Sequence, residues 1–171
     1  MKNIVLVGFM GTGKTAVGKE IARALGMQYV NTDDIIEKKA GIPINDIFAR
    51  KGESYFRQIE REVMMEVSAN DYSVIDTGGG AVINELNVKD LKMEGILFCL
   101  NATADEIFKR VSNETHRPLL NVSDPLGQIS YLMTKRIPYY KRADHQIDTN
   151  GRGIKEIADE IINIYRKAVK S

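Results

Sequence analysis

The chain has 171 residues, of which 43% are hydrophobic and 27% are charged. This length suits one sizeable core and is too short for two ordinary domains, so a single domain over residues 1–171 is expected. The 24 basic and 23 acidic side chains nearly cancel, which argues against nucleic-acid and membrane-surface partners. No apolar run reaches the roughly 18 residues of a membrane span, and we expect a cytoplasmic protein.

Predicted strands and helices alternate along the chain. The apolar, β-branched run at 3–7 predicts a strand buried on both faces of a sheet. Further strands are predicted at 28–31, 73–76, 95–100 and 146–148. Helices are predicted at 14–25, 35–39, 44–50, 53–69, 101–111, 125–142 and 154–169, with Pro138 expected to kink or shorten the sixth. This alternation predicts an α/β fold with a mainly parallel sheet.

One segment, 112–124, has polar residues, a proline and no sustained periodicity. A loop of that length is unusual in a compact domain and is often a functional lid. We therefore expect a lid at about 112–124.

The stretch GFMGTGKT at 8–15 matches the pattern G-x-x-x-x-G-K-S/T without a gap. Its glycines allow backbone N–H groups to surround a phosphate, Lys14 can reach the outer phosphates, and Thr15 can bind Mg²⁺. The motif lies between a predicted strand and a predicted helix, which is the context it requires. The sequence thus predicts bound ATP or GTP with Mg²⁺, held by Gly11, Thr12, Gly13, Lys14, Thr15 and Ala16.

The identity of the phosphate acceptor needs other residues. The chain has no guanine-reading N-K-x-D segment, which argues against a Ras-type GTPase, and motor or transport ATPases are usually longer. A small-molecule kinase fits the length. Such an enzyme needs a lid arginine and a second pocket for its acceptor.

Six segments together resemble the shikimate kinase family over nearly the whole chain: GFMGTGKT, NTDD, GESYFRQIE, TGGGAV, THRPLL and KRIPYY. The resemblance implies a three-layer P-loop kinase fold, like that of nucleoside monophosphate kinases, with a five-stranded parallel sheet flanked by helices. It also implies transfer of the ATP γ-phosphoryl group to the 3-hydroxyl of shikimate, within aromatic amino acid biosynthesis. The enzyme would be a Mg²⁺-dependent monomer with its acceptor region at about 32–70.

The resemblance also implies which residues hold the acceptor. Asp33 corresponds to the aspartate that binds the ring hydroxyls, where a carboxylate can orient a hydroxyl and accept its proton. Arg57 and Arg136 correspond to the pair that binds the shikimate carboxylate by two guanidinium groups. Gly79 corresponds to a glycine whose N–H faces the acceptor or the phosphoryl group.

Other implied positions lie around these. Arg117 corresponds to the lid arginine, so Lys14, Asp33 and Arg117 are the expected catalytic residues, and Arg110 corresponds to a residue that stacks on adenine. The expected supporting residues are Glu60, one helical turn from Arg57, and the pocket walls Phe48 and Phe56.

Two positions depart from the family pattern. Asn31 replaces the first aspartate of D-S/T-D, which reaches Mg²⁺ through water, and Asp76 replaces a small residue before T-G-G-G. One hypothesis is that Asp76 supplies, beside Thr15, the negative charge that Asn31 lacks. The alternative is that Asp76 hydrogen-bonds a loop amide and that Asn31 weakens metal binding.

Two other functions stay open at this point. One is a kinase for another small polyol acid such as gluconate. The two arginines indicate that the acceptor has a carboxylate, but they do not determine the number of its ring hydroxyls. The other is a catalytically weak relative that binds nucleotide as a regulatory module. The full set Lys14, Asp33, Arg57, Arg117 and Arg136 argues against the regulatory module.

Overall fold

The structure is a computed structural model, and it describes residues 2–112 and 121–170. Within these ranges five strands form one parallel sheet in the order β2-β3-β1-β4-β5. They are β1 (Asn3–Val7), β2 (Gln28–Asn31), β3 (Ser73–Asp76), β4 (Gly95–Asn101) and β5 (His145–Asp148). The predicted α/β fold with a five-stranded parallel sheet is confirmed.

Eight α-helices connect and cover these strands in the described part of the chain. They are α1 (Lys14–Leu25), α2 (Thr32–Ala40), α3 (Ile44–Lys51), α4 (Glu53–Ser68), α5 (Glu85–Met93), α6 (Ala104–Val111), α7 (Pro125–Tyr140) and α8 (Ile154–Ala168). A single 3₁₀ turn, Ala81–Ile83, precedes α5. No helix in the described ranges is long and apolar enough to cross a bilayer.

The sheet separates two apolar clusters. Val5 and Val7 of β1 pack in one cluster, which also contains Val63 of α4, whereas the alternate residues Ile4 and Leu6 belong to the other, which includes residues of α1 and α8. All of β1 is buried because helices cover both faces, which explains its continuous apolar run. Burial of each such side chain stabilises the fold by roughly 2 kcal/mol. Helices on both faces of the sheet provide this burial, which gives the three-layer arrangement.

Four helices differ from their prediction. Helix α6, expected from residue 101, begins at Ala104, because Asn101 ends β4 and Thr103 caps the helix. The helix expected at 35–39 begins at Thr32, because Asn31 Oδ1 accepts hydrogen bonds from the backbone N–H groups of Asp33 (2.9 Å) and Asp34 (3.3 Å). Helix α5 was not predicted, although Asn84 caps it in the same way through the N–H of Leu86. Helix α7 ends two residues after Pro138, which lies inside it.

The carboxyl ends of β1, β2 and β3 lie side by side. Asp76 at the end of β3 is paired with Leu6 on one side and with Asn31 on the other. The glycine loop after β1, the start of α2 and the glycine turn after β3 therefore meet at one edge of the sheet. This edge is where open parallel sheets bind their ligands.

Candidate active site

The glycine loop between β1 and α1 has a conformation that side chains would prevent. Gly8 has φ +138°, and a Cβ there would lie 2.5 Å from the Leu100 carbonyl oxygen. Gly11 has φ +72°, and its Cβ would lie 2.8 Å from a methyl carbon of Val111. The loop leads into the N-terminus of α1, whose first N–H groups have no partner within the helix. It is therefore shaped to bind an anion.

The loop borders a cavity of about 390 Å³, a volume within the range of small-ligand sites. The cavity also brings Lys14 and Thr15 together with Asp33 and Gly79, which are distant from that pair in the sequence. Lys14 Nζ donates hydrogen bonds to the carbonyl oxygens of Gly8 (2.8 Å) and Phe9 (3.0 Å). Ala16, predicted at the same site, also lines the cavity. The glycine loop and the Asp33 carboxylate therefore border the same cavity.

Asp33 lies in the first turn of α2, against the glycine turn after β3. A Cβ on Gly78 would lie 2.8 Å from Asp33 Oδ1, so the carboxylate occupies space that only glycine leaves open. Burial raises the pKa of Asp33 to about 6; the Lys14 cation lowers it, and the carboxylates of Asp76 and Glu60 raise it further. A carboxylate that titrates near neutral pH is well suited to act as a general base.

Two guanidinium groups lie over the next two glycines of that turn. A Cβ on Gly79 would be 3.2 Å from Arg136 Nη1, and one on Gly80 would be 2.6 Å from both terminal nitrogens of Arg57. Arg57 comes from α4 and Arg136 from α7. The fold thus places two cations at the edge of the cavity, where they could bind one carboxylate.

Glu60 is the buried partner of Arg57. Its side chain is almost fully inaccessible, and its Oε1 accepts a 2.7 Å hydrogen bond from Arg57 Nη1. Within the described residues its Oε2 has no hydrogen-bond partner. Burial raises the pKa of Glu60, and Arg57 and then Arg136 oppose that shift. Glu60 therefore fixes the Arg57 fork and keeps one oxygen able to accept a hydrogen bond.

Two phenylalanines lie beside this pair. The rings of Phe48 and Phe56 are 4.6 Å apart between centroids. Phe56 is 5% exposed, whereas Phe48 is 39% exposed. Phe56 thus belongs mainly to the core, and Phe48 offers an open apolar face.

A tyrosine that the sequence did not single out supports the glycine turn. The Tyr140 hydroxyl donates a 2.8 Å hydrogen bond to the Gly79 carbonyl oxygen. Burial raises the pKa of Tyr140 to about 12, so the hydroxyl stays a proton donor. In the sequence, only its position in the segment KRIPYY could have drawn attention to Tyr140, because its contact with Gly79 depends on the tertiary fold.

Thr15 and Asp76 form the part of the cavity that fits a divalent cation. The Thr15 hydroxyl donates a 2.7 Å hydrogen bond to Asp76 Oδ2, and Tyr29 donates to the same oxygen at 2.7 Å. Among the residues that the structure describes, the side-chain partners of Asp76 are therefore hydroxyls. Burial, followed by the Asp76 carboxylate, raises the pKa of Tyr29 to about 12.

The donor set fits Mg²⁺. The described residues contain no group of three His, Cys, Asp or Glu side chains that could hold a metal. Mg²⁺ commonly takes one or two carboxylates, with waters and substrate phosphates completing its coordination. Thr15 and Asp76 supply such oxygens. Asn31, by contrast, uses its side-chain oxygen to cap α2.

Arg110 is the remaining predicted arginine that the structure describes. Arg110 lines the cavity and donates hydrogen bonds to the Gly11 carbonyl oxygen (3.2 Å) and the Thr149 carbonyl oxygen (2.8 Å). It also pairs with Glu106 at 3.0 Å, so it joins α6 to the glycine loop. Its stacking on adenine stays a prediction. Arg117 and most of the predicted lid at 112–124 lie outside the described residues.

Comparisons with known proteins identify similar chains. The family model "Shikimate kinase" matches residues 10–166. A shikimate kinase of Thermodesulfovibrio yellowstonii is 48% identical over 98% of this chain and 96% of its own length. The structure of shikimate kinase from Acinetobacter baumannii in complex with shikimate is 35% identical and superposes with a TM-score of 0.91, covering 98% of this chain and 94% of that one. A gluconokinase from Sinorhizobium meliloti 1021, at 16% identity and a TM-score of 0.60 over 97% of both chains, shares the fold alone.

Proposed function

This chain belongs to the shikimate kinase family, and from that premise we propose that it transfers the γ-phosphoryl group of ATP to the 3-hydroxyl of shikimate. The observation that carries the proposal is the shared cavity of Lys14 and Asp33, with Arg57 and Arg136 over the adjoining glycines. Groups that could bind phosphate, act as a base and bind a carboxylate thus lie close together, which supports the proposal.

In the proposed reaction, the acceptor hydroxyl oxygen attacks the γ-phosphorus of ATP. A new oxygen–phosphorus bond forms as the bond to the β,γ-bridging oxygen breaks, and ADP leaves. The hydroxyl proton passes to the Asp33 carboxylate, whose pKa of about 6 leaves it mostly ionised at neutral pH. Lys14 neutralises charge on the outer phosphates, and positioning with such charge stabilisation supplies most of the catalysis.

The acceptor's carboxylate is proposed to bind Arg57 and Arg136. Two guanidinium groups can donate parallel hydrogen bonds to one carboxylate, which favours an acidic ring over a neutral sugar. Glu60 holds Arg57 in place by its 2.7 Å contact, Gly79 offers its N–H group, and Phe48 with Phe56 forms the apolar wall.

Mg²⁺ is proposed to bind beside Thr15 and Asp76. When bound, it would offset negative charge on the nucleotide phosphates during transfer. Arg117 is proposed as the lid cation from the THRPLL segment, and Arg110 as the group beside adenine. The monomeric state and the cytoplasmic location stay predictions.

A coupled assay of ADP release tests the proposed function directly. The purified chain is supplied with Mg²⁺ and ATP, and with shikimate, gluconate or no acceptor. We expect acceptor-dependent ADP release with shikimate only. Release with gluconate would favour the polyol-acid kinase, and a rate that no acceptor changes would favour the regulatory module.

A Gly80→Ala substitution tests the position of Arg57. The new Cβ would lie 2.6 Å from both terminal guanidinium nitrogens, so the flexible arginine must move away. We expect the KM for shikimate to rise about 10- to 100-fold, equivalent to losing one charge-assisted hydrogen bond. The KM for ATP should change little, because Gly80 does not line the nucleotide cavity.

Gly153→Ala is the matched control for that substitution. Gly153 precedes α8 at φ −77°, and a Cβ there would meet no atom within 4 Å. Steady-state kinetics with each substrate varied in turn gives both KM values. An unchanged KM for shikimate in Gly80→Ala would contradict the proposed contribution of Arg57.

A further inference from the structure

Tyr29 is a residue of β2 whose side chain extends to the candidate metal site at the end of β3. Its hydroxyl donates a 2.7 Å hydrogen bond to Asp76 Oδ2, the oxygen that also accepts the Thr15 hydroxyl at 2.7 Å. Among the described residues, Asp76 Oδ1 accepts no hydrogen bond, while the residue lines the cavity. Two donors therefore hold one carboxylate oxygen and leave the other for a ligand.

The fold fixes Tyr29 in this position. In the parallel pairing of β2 with β3, Tyr29 is opposite Val74, and Asn31 is opposite Asp76. Tyr29 is two residues before Asn31, so it lies on the same face of the sheet and its long side chain can reach Asp76 diagonally. Gly18 of α1 makes room for the ring, since a Cβ there would be 3.0 Å from Tyr29 Cε2.

Asp76 is a buried carboxylate whose hydrogen-bond partners among the described residues are uncharged. Asp76 is only 4% exposed, and a buried carboxylate needs hydrogen-bond partners. Within the part of the chain that the structure describes, its two side-chain partners are neutral hydroxyls, and it forms no ion pair. Neutral donors orient a carboxylate without cancelling its negative charge, which stays available to a cation.

We propose that Tyr29 is a positioning residue for Mg²⁺-dependent nucleotide binding, acting by holding the Asp76 carboxylate beside Thr15. The inference rests on the proposed function, because it takes Mg²⁺ and ATP as the ligands of this cavity. It extends that function by assigning the orientation of Asp76 to a residue of β2. Groups that orient metal-binding side chains commonly change metal affinity about 10- to 100-fold when they are removed.

Calorimetric binding of a non-hydrolysable ATP analogue, adenylyl imidodiphosphate, tests this without turnover. The affinity is measured in EDTA and over a series of Mg²⁺ concentrations for the parent chain and for Tyr29→Phe. The ring is retained, so the affinity in EDTA should be unchanged. The Mg²⁺ concentration at the midpoint of the affinity gain should rise about tenfold.

Tyr72→Phe is the matched control. Tyr72 packs against the same apolar cluster as Tyr29, and its hydroxyl donates a 2.8 Å hydrogen bond to the Leu25 carbonyl oxygen. That substitution should leave the Mg²⁺ midpoint unchanged. An equal midpoint in Tyr29→Phe and the parent, or an equal loss of affinity with and without Mg²⁺, would overturn the inference.

A second variant shows whether Tyr29 acts through Asp76. In an Asp76→Ala background, Tyr29→Phe should produce no further change in the Mg²⁺ midpoint; a full additive shift would overturn the inference. Failure of the parent chain to bind the analogue at any Mg²⁺ concentration would overturn the proposed function together with the inference. A parent that binds the analogue and phosphorylates shikimate, with an unaltered Tyr29→Phe midpoint, would overturn the inference alone.

Discussion

Replacing Asp33 with asparagine is expected to lower kcat for shikimate phosphorylation about 10²- to 10⁴-fold, the range that a positioned general base contributes. The amide keeps the shape of the carboxylate against Gly78, where a Cβ would lie 2.8 Å from Oδ1, but it cannot accept the hydroxyl proton. Steady-state kinetics at saturating ATP and shikimate measures the loss. The neighbouring, exposed Asp34 provides the control Asp34→Asn, which should keep kcat within about twofold of the parent.

The pH dependence of the parent enzyme follows from the same group. Because burial raises the pKa of Asp33 to about 6, kcat should rise as the pH increases through about 6 and the base becomes ionised. In Asp33→Asn, the residual rate should lose this acid limb. An acid limb retained unchanged in Asp33→Asn would show that another group titrates.

As the pH rises, the contribution of Asp33 to the stability of the fold should fall, whereas kcat should rise. A carboxyl whose pKa is higher in the folded than in the unfolded chain, about 6 against 3.8, stabilises the fold fully only below about pH 4. That contribution is lost as the pH rises through about 6, because ionisation then costs more in the buried site than in water. At neutral pH, Asp33→Asn should therefore have a Tm equal to or above that of the parent. A marked fall in Tm would mean that the kinetic loss reflects damage to the fold.

The residues that could be interpreted from sequence are those whose role depends on local pattern. The apolar run of β1 and the glycine loop before Lys14 predicted a strand, a turn and a helix. The structure has all three with the predicted bounds. The start of α2 was missed because a single side chain, Asn31, caps it, and the apolar periodicity begins only at Ile35.

The candidate site was only partly accessible to such reasoning. The phosphate loop follows from its own spacing, whereas Arg57 and Arg136 required the family resemblance, because nothing local distinguishes them from surface arginines. Tyr29 and Tyr140 escaped detection because their partners, Asp76 and Gly79, lie 47 and 61 residues away in the chain. Contacts of that kind depend on strand register and helix docking, which no single segment encodes.

The two alternatives for Asp76 show the same dependence on tertiary structure. Sequence could place a carboxylate at the end of β3 but could not choose between a metal and a loop amide as its partner. In the structure the carboxylate accepts hydrogen bonds from the hydroxyl groups of Thr15 and Tyr29. The metal hypothesis thus requires that the other oxygen of Asp76, Oδ1, contributes to Mg²⁺ binding. Titration with Mg²⁺ tests this requirement.

Replacing Lys14 with methionine is expected to lower kcat about 10²- to 10³-fold, as for other preorganised groups that stabilise transition-state charge. Lys14 Nζ lies 2.8 Å from the Gly8 carbonyl oxygen, and we propose two roles for it in the cavity. It can reach the outer phosphates, and its charge lowers the pKa of Asp33 against the effect of burial. The residual activity of Lys14→Met should therefore also have its acid limb at a higher pH than that of the parent.

The pH shift separates Lys14 from a merely structural residue, because loss of loop packing alone would lower the rate at every pH equally. Measuring kcat for Lys14→Met between roughly pH 5 and 8 gives both the loss and the position of the limb. Lys89→Met, at an exposed position of α5, is the matched control and should resemble the parent. A Lys14→Met enzyme within about tenfold of the parent rate, with the limb unmoved, would contradict both roles, since the same ammonium group is assigned to the phosphates and to the field at Asp33.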